Sequence, residues 1–317
     1  MDSAAAGTSF GRSGGRTVRL YLTEGSAHGI VVADVGNWNG KALAAPRGRL
    51  SELLRRPEAS RTGVYILLGP NPEAADGILA YIGEADDIAA RMRTHLRTEN
   101  KDFFDRVVFL VSSDEILTKG HVRYLESRLI KLTQDAGSVA LTNDTHPDFQ
   151  RLPEADRADM DAFVDTATVI LPIVGCDLFR RRGAPTAAPL AGTAETSIGP
   201  ADGPIFTFST AGASAAGQET VDGFVVRAGS TARRAPSGTF PAGYAALRDK
   251  LIANGQLIEG RSPDLLLFAV DVMFSSPSAA ASIVSARSAS GPIEWKIQPM
   301  GTSYRDWRAS RLEPASS

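Results

Sequence analysis

Apolar residues along this chain alternate between strand-like runs and helical spacing, and the alternation predicts its elements. Between residues 17 and 60 the pattern predicts two strands and a short helix, at residues 17–23, 29–35 and 47–56. The helix would bury Leu50, Leu53 and Leu54, and Pro57 would end it. We therefore expect residues 17–60 to form a β-rich N-terminal cap.

The central part of the chain, residues 61–182, predicts a small sheet flanked by helices. The predicted strands are residues 63–69, 78–83, 106–111 and 168–174. The predicted helices are residues 86–97, 120–132 and 153–166. Asp86 or Asp87 is placed to cap the first of these helices. The predicted fold class is α/β in the α+β sense, with a small helix-flanked sheet.

A change of composition predicts a second domain. Residues 183–220 are rich in Ala, Gly, Pro, Ser and Thr, with one β-like island, and are typical of a linker. Residues 221–317 predict a separate small α+β domain. Its predicted elements are a strand into a glycine turn at 223–230, helices at 244–254 and 275–286, and a strand-like run at 265–274.

Composition excludes several classes of protein. The net charge of -2 gives no global nucleic-acid signature, so such an interaction would depend on local basic faces. The only cysteine, Cys176, is expected to be a buried apolar residue, and no Cys/His cluster could hold zinc. Residues 1–16 lack an apolar core and predict a flexible tail, and no apolar run is long enough to cross a bilayer. We expect a cytoplasmic protein without a membrane partner.

The helix at residues 86–97 carries basic side chains beside its apolar stripe. Arg91 and His95 are four residues apart and flank that stripe. With Arg93 and Arg97, they give a face without acids that suits a phosphate backbone. The alternative is an ordinary solvated basic face.

One carboxylate falls on an apolar helix face. Glu126 lies between Val122 and Ile130, where a charged group is costly unless it is paired or binds a metal. Pairing with Arg91 is one interpretation. A magnesium site is the other, because Mg²⁺ often uses one or two carboxylates and keeps several waters.

Two tyrosines lie in the middle of neighbouring predicted strands. Tyr65 and Tyr81 are each more typical of packing than of chemistry, but on a hairpin they could share one face, and a buried hydroxyl needs a partner. Gly83 would let backbone or substrate approach closely at the end of its strand.

The order of these residues resembles the GIY-YIG nuclease superfamily. The matching positions are Gly63-Val64-Tyr65, Tyr81-Ile82-Gly83, Arg91, His95, Glu126 and, near the end, Asn143. The loop between the tyrosine motifs is longer than is usual in the family, and Ala85 replaces a frequent Ser or Thr. His121 and His146 have no firm counterpart and are expected at the surface, with His121 a candidate substrate contact.

The resemblance implies a metal-dependent endonuclease. It implies that Tyr65 activates a water or hands its proton onward, that Tyr81 orients the water, and that Arg91 offsets the developing charge. His95 would relay a proton, and Glu126 would bind Mg²⁺ or Mn²⁺. The implied substrate contacts are Gly83, Arg93, Arg97, His121 and Asn143.

The C-terminal part resembles a small domain of unknown function that follows such nuclease domains in bacteria. Residues 227–250 hold five basic residues and one acid, with two aromatic residues among them, which suits nucleic acid or a solvated face equally. We expect nucleic acid as the partner, DNA rather than RNA, and leave a protein partner and the oligomeric state open. The alternatives are a catalytically silent binding module and a fold acting on a small phosphorylated ligand.

Overall fold

The computed structural model describes residues 15–74, 77–98, 103–143, 152–179, 201–220 and 223–312. Within these residues the protein has an α+β fold, as the sequence predicts. No helix in this part of the chain combines the length and the apolar character needed to cross a membrane.

The N-terminal and central residues form one sheet. Its strands are β1 (Val18–Leu22), β2 (Val31–Val35), β3 (Gly40–Pro46), β4 (Gly63–Pro70), β5 (Ile78–Ala85), β6 (Arg106–Ser112) and β7 (Ala140–Leu141). Among the described residues the strand order is β1-β2-β3-β6-β4-β5-β7. All neighbours are antiparallel except β5 and β7, which pair in parallel.

Helices cover both faces of this sheet. They are α1 (Leu50–Leu53), α2 (Ile88–Thr98), α3 (Lys119–Ala136) and α4 (Glu154–Ile173), with 3₁₀ turns at Arg47–Arg49 and Pro57–Ser60. Successive side chains of a strand point to opposite faces. Val64 and Ile66 of β4 therefore join the core under α3 and α4, whereas Tyr65 and Leu67 join the core under α1 and α2.

The β-rich N-terminal segment is continuous with the central domain, because β3 connects the N-terminal strands to the central sheet. All seven residues of β3 pair with β6, from Gly40 opposite Ser112 to Pro46 opposite Arg106. The sequence of β3 is rich in alanine and lacks β-branched residues, so its local preference for a strand is weak. Its pairing partner lies far away in the chain, and that partner decides its structure.

The predicted strand at residues 168–174 is wrong. Helix α4 continues to Ile173, and Met160, Val164, Ala167 and Leu171 form one buried stripe at helical spacing. The local run of apolar residues favours a strand, but packing of this stripe against the sheet overrides that preference.

The C-terminal residues form two further sheets with helices against them. The first contains β8 (Ala201–Thr210), β9 (Ala213–Thr220), β10 (Gly223–Val226), β14 (Val272–Phe274), β15 (Lys296–Ile297) and β16 (Thr302–Ser303). The second contains β11 (Thr231–Arg233), β12 (Leu257–Glu259) and β13 (Leu265–Phe268), in the order β11-β13-β12. The helices are α5 (Ala242–Ala253), α6 (Pro277–Ser285), α7 (Gly291–Glu294) and α8 (Tyr304–Leu312).

Two predictions for this half need correction. The predicted linker includes residues 201–220, which form the β8–β9 hairpin of the C-terminal sheet. Small side chains hid this pattern, since Ala213 and Ala215 are buried on either side of exposed Ser214. The strand-like run at 265–274 is two strands in different sheets.

The two halves of the chain are in direct contact. The Gly243 N–H donates to the carbonyl of Pro72 at 2.8 Å. Arg308 of α8 is buried and donates through Nη2 to the carbonyl of Arg47, while its Nη1 pairs with Glu219. Helix α8 also packs beside α2. The C-terminal half therefore covers part of the face on which Tyr65 lies.

Candidate functional site

The β4–β5 hairpin brings the two motif tyrosines together. Tyr65 pairs with Gly83 and Leu67 pairs with Tyr81, so the tyrosines are diagonal neighbours on one face. Their ring centroids are 5.9 Å apart. Both rings lie on the side of the sheet covered by α2.

Gly83 creates the space in which the Tyr65 hydroxyl lies. A Cβ atom at position 83 would lie 2.5 Å from the Tyr65 hydroxyl oxygen and 2.9 Å from Cε1 of Tyr81. Any larger residue would have to displace one of the rings. The glycine therefore allows the tyrosine hydroxyl to lie directly against the backbone of β5.

Helix α2 brings a histidine to this hydroxyl. Asp87 caps the helix by accepting the Ala90 N–H at 2.8 Å, and the buried side chains of Ile88 and Met92 fix the helix on the sheet. His95, one turn after Met92, then places Nε2 in hydrogen-bond contact with the Tyr65 hydroxyl.

Three rings form a compact cluster. The His95 ring centroid is 5.4 Å from that of Tyr65 and 5.8 Å from that of Tyr81, both in edge-on geometry. Tyr65 is 1% exposed and His95 2%, whereas Tyr81 and Arg91 are half-buried. Solvent or a ligand would therefore meet Tyr81 and Arg91 before the other two residues.

The pKa of the Tyr65 hydroxyl is raised well above its ordinary value. Burial is the main cause, and the neighbouring Tyr81 adds to it. The charge of Arg91 and its hydrogen bond to the hydroxyl act in the opposite direction but are outweighed. At neutral pH Tyr65 therefore keeps its proton. Its hydroxyl can then donate a hydrogen bond to Nε2 of His95 if that nitrogen carries no proton.

Glu126 lies on the other face of the sheet, beside a second carboxylate. The backbone N–H of Glu84 donates to the Glu126 carboxylate, and the negative charge of the Glu84 side chain is close enough to act on it. Burial first and then this charge raise the pKa of Glu126 to about 7, although Lys119 and Arg123 oppose the change. Among the described residues no ion pair joins Glu126 to a basic group, so the alternative that it pairs with Arg91 has no support there.

Lys119 and Arg123 neutralise Glu84. The Nζ of Lys119 lies 2.7 Å from Oε2 of Glu84 and 3.2 Å from Asp86, and Nε of Arg123 lies 3.8 Å from the other Glu84 oxygen. Burial lowers the pKa of Lys119, but the hydrogen bonds and charges of Glu84 and Asp86 outweigh it and leave that pKa raised. Of Glu84, Asp86 and Glu126, it is therefore Glu126 whose negative charge a bound cation would stabilise most.

The tyrosine–histidine cluster and the carboxylates of Glu84 and Glu126 meet at one end of β5. Gly83 faces the tyrosine–histidine cluster, and the next residue, Glu84, faces Glu126. Strand β7 pairs only with Leu79 and Ala80, so residues 83–85 have β4 on one side and no paired strand on the other within the described chain. At this edge a ligand could contact both faces.

Other predicted substrate contacts already have roles within the protein. Arg93 donates to the Leu54 carbonyl at 3.4 Å. His121 closes a capping box with Thr118 at the start of α3, and its Nε2 lies 3.7 Å from Asp156. Asn143 bonds the backbone of Ile82. The Arg97 side chain and His146 lie outside the described residues.

Sequence reasoning missed Glu84 and Lys119. The alternation of β5 contained a usable signal, because Glu84 shares a face with Ile82 and should point toward the helix that carries Glu126. Glu126 is the carboxylate that could hold a divalent ion, because Glu84 already pairs with Lys119 and Arg123. Within the described residues no group of three or more His, Cys, Asp or Glu side chains is arranged to bind a metal.

Comparison with known proteins identifies a family for the C-terminal part only. Residues 206–308, which run from β8 into α8, match the model of a domain of unknown function, DUF4357. No curated protein matches the chain, and no solved structure does. The match agrees with the resemblance stated for the C-terminal domain and gives no function for it.

Proposed function

We propose that this protein is a metal-dependent endonuclease that hydrolyses phosphodiester bonds in nucleic acid, DNA in preference to RNA. The observation that carries the proposal is the contact of the Tyr65 hydroxyl with His95 over Gly83, with Tyr81 and Arg91 beside it. These are the residues that the resemblance to the GIY-YIG superfamily names, and they come from two strands and a helix.

The raised pKa of Tyr65 favours a proton relay over a stable phenolate. A phenol that donates to Nε2 of neutral His95 can pass its proton to the imidazole while its oxygen takes a proton from the attacking water. Arg91 then offsets negative charge that develops on the phosphate. Tyr81, the more exposed of the two tyrosines, would orient the water.

The acidic group on the other face fits a divalent cation. Glu126 carries a raised pKa next to Glu84, and oxygen ligands from one or two carboxylates are what Mg²⁺ accepts in proteins. Glu126 would hold Mg²⁺ or Mn²⁺, with Glu84 beside it. When bound, the ion supplies positive charge that stabilises the leaving oxygen.

The C-terminal domain would help to hold the substrate or a partner. The basic stretch at 227–250 is a weaker candidate for this role than its composition predicts, because three of its arginines also bond side chains within the domain. Arg227 pairs with Asp271 at 2.6 Å, Arg234 pairs with Glu259 at 3.2 Å, and Arg233 donates to Ser237 at 2.6 Å. We therefore expect the substrate to contact other surfaces.

The second candidate function is a silent binding module that keeps the nuclease fold. The burial of Tyr65 and His95 favours it, since a reacting water must reach the Tyr65 hydroxyl. The two candidates differ in whether any phosphodiester bond is cut.

Cleavage of plasmid DNA and of structured RNA in the presence of Mg²⁺ tests the proposal. We expect wild type to cut, EDTA to abolish cutting, and both Tyr65→Phe and Glu126→Ala to lower the rate by about 100-fold or more. Tyr124→Phe is the matched control, because the partly buried Tyr124 hydroxyl donates to Asp161 at 3.0 Å, away from the cluster. Salt-sensitive binding without cutting in all variants would support the silent module, and cutting by Glu126→Ala would rule out the metal site.

A further inference from the structure

A groove in the C-terminal domain has apolar walls and unpaired guanidinium donors. It has a volume of about 530 Å³ and lies between one face of α5 and strands β12 and β13. Phe240, Ile252 and Ile258 contribute apolar wall, and the two isoleucines are 44% and 41% exposed. A cavity of this size accommodates a small organic ligand.

Arg248 lines this groove and is 5% exposed. Its Nη2 donates to the carbonyls of Arg233 and Arg234, which fixes the end of β11. Its Nη1 is buried and has no hydrogen-bond partner among the described residues. A buried charged donor without a partner is costly, so a ligand acceptor that reaches it would be strongly favoured.

Arg234 adds a second donor to the same groove. Its Nη1 pairs with Glu259 at 3.2 Å, but its Nε is buried and has no partner within the described chain. Two guanidinium groups with unused N–H donors thus line one apolar cavity. Hydrogen bonds from a cation to an anion are the stronger kind, and an apolar wall that excludes water strengthens them further.

The remaining charges limit which anion fits. Asp249 and Glu259 also line the groove and both are exposed. They would repel an extended polyanion such as a nucleic-acid strand more strongly than a ligand that carries a single acid group. The apolar walls would bury the rest of such a ligand.

We propose that this groove binds a small organic carboxylate, in which one acid group bonds Arg248 and Arg234 and an apolar body lies against Phe240, Ile252 and Ile258. The site is separate from the tyrosine–histidine cluster and does not depend on nuclease activity. It assigns a ligand class to a domain whose family match gives no function.

Calorimetric titration of the full-length protein tests this assignment. The probes are 4-phenylbutanoate and its amide, which have the same apolar body and differ in charge. We expect the acid to bind at least about tenfold more tightly than the amide. Equal affinity for the two would overturn the proposal, because the arginines would then contribute nothing specific to an acid.

Variants locate the site. Arg234→Gln should weaken binding of the acid about tenfold. Arg287→Gln is the control and should not weaken it. Like Arg234, Arg287 is partly exposed and pairs with a glutamate, Glu294, at 2.5 Å. Ile252→Asp places a negative charge in the wall and should weaken binding by a similar factor. Ile293→Asp, at an isoleucine of matching exposure, 46%, should leave it unchanged.

Three competing ligands complete the test. A peptide ending in a free phenylalanine carboxylate that binds tenfold more tightly than 4-phenylbutanoate would overturn the small-molecule assignment in favour of a peptide C-terminus. Displacement of the acid by inorganic phosphate or by a single-stranded oligonucleotide would identify a phosphate site instead. Weaker binding of the peptide, together with no displacement by phosphate or by the oligonucleotide, supports the proposal.

Discussion

The side chain of Asn143 bonds both backbone groups of Ile82. Its Nδ2 donates to the Ile82 carbonyl at 2.6 Å, and its Oδ1 accepts the Ile82 N–H at 3.2 Å. The amide thereby takes the place of a paired strand where β7 ends. Because Ile82 separates Tyr81 from Gly83, Asn143 fixes the backbone on which the cluster is built.

We expect Asn143→Ala to destabilise the protein by about 1–3 kcal/mol, because two partly buried backbone groups lose their partner. Chemical denaturation measures the free energy of unfolding. Asn39→Ala is the control, since the Asn39 side chain is exposed and makes a long 3.4 Å bond to Asp114. Equal losses in the two variants would mean that Asn143 has no special role in holding β5.

Gly83→Ala should disrupt the cluster. The added methyl group would overlap the Tyr65 hydroxyl and the Tyr81 ring, and relief requires a ring to move. We expect a loss of about 1–3 kcal/mol in stability and loss of any cleavage activity. Gly36→Ala is the control, because a Cβ there meets no atom within 4 Å. Full activity in Gly83→Ala would show that the position of the Tyr65 hydroxyl is not critical.

The metal-free protein should show a Glu126 carboxyl that titrates at about pH 7, measurable by NMR. Glu84→Gln should lower this pKa, because the like charge is removed, but burial should keep it above the ordinary value of 4.5. A Glu126 carboxyl that titrates near 4.5 in wild type would contradict both causes.

The same pKa predicts a dependence of stability on pH. A carboxyl whose folded pKa is raised contributes stability that is full below pH 4.5 and is lost as pH rises through about 7. Glu126→Gln cannot ionise, so we expect it to be more stable than wild type by about 1 kcal/mol at pH 8. The difference should disappear below pH 4.5 in metal-free buffer, and a constant difference would point to packing instead.

A buried ion pair within the C-terminal half holds Arg308, which also donates to the Arg47 carbonyl of the N-terminal half. Arg308 pairs with Glu219, which also accepts the Tyr304 hydroxyl at 2.6 Å. Arg308→Met would leave Glu219 buried without its cation and should cost about 3–5 kcal/mol. Adding Glu219→Gln should recover part of this loss in thermal or chemical unfolding.

A matched substitution on the surface is the control for that experiment. Arg287→Met breaks the partly exposed pair with Glu294 and should cost about 1 kcal/mol or less. A similar loss from Arg308→Met would show that its burial adds nothing to the stability of the pair.

Local pattern predicted much of the central fold and of the cluster. The strand-like runs at 63–69 and 78–83 indicated two strands, and the four-residue spacing of Arg91 and His95 put them on one side of a helix. The local pattern failed where the intrinsic preference of a segment disagrees with its tertiary contacts. In β3, alanines form a strand because they pair with β6. In α4, β-branched residues stay helical because the helix packs on the sheet.

By itself, the sequence determined which residues are close along a strand or helix, since periods of 2 and 3.6 depend on the backbone alone. The placement of Arg91 and His95 on one side of α2 follows from it, whereas the shared face of Tyr65 and Tyr81 depends on the register that pairs Tyr65 with Gly83. Only the tertiary structure decided that Glu84 lies beside Glu126, that Asn143 bonds Ile82, and that buried Arg248 keeps an unused donor. These relationships join residues tens of positions apart, and their distances are set by how the helices pack on the sheets.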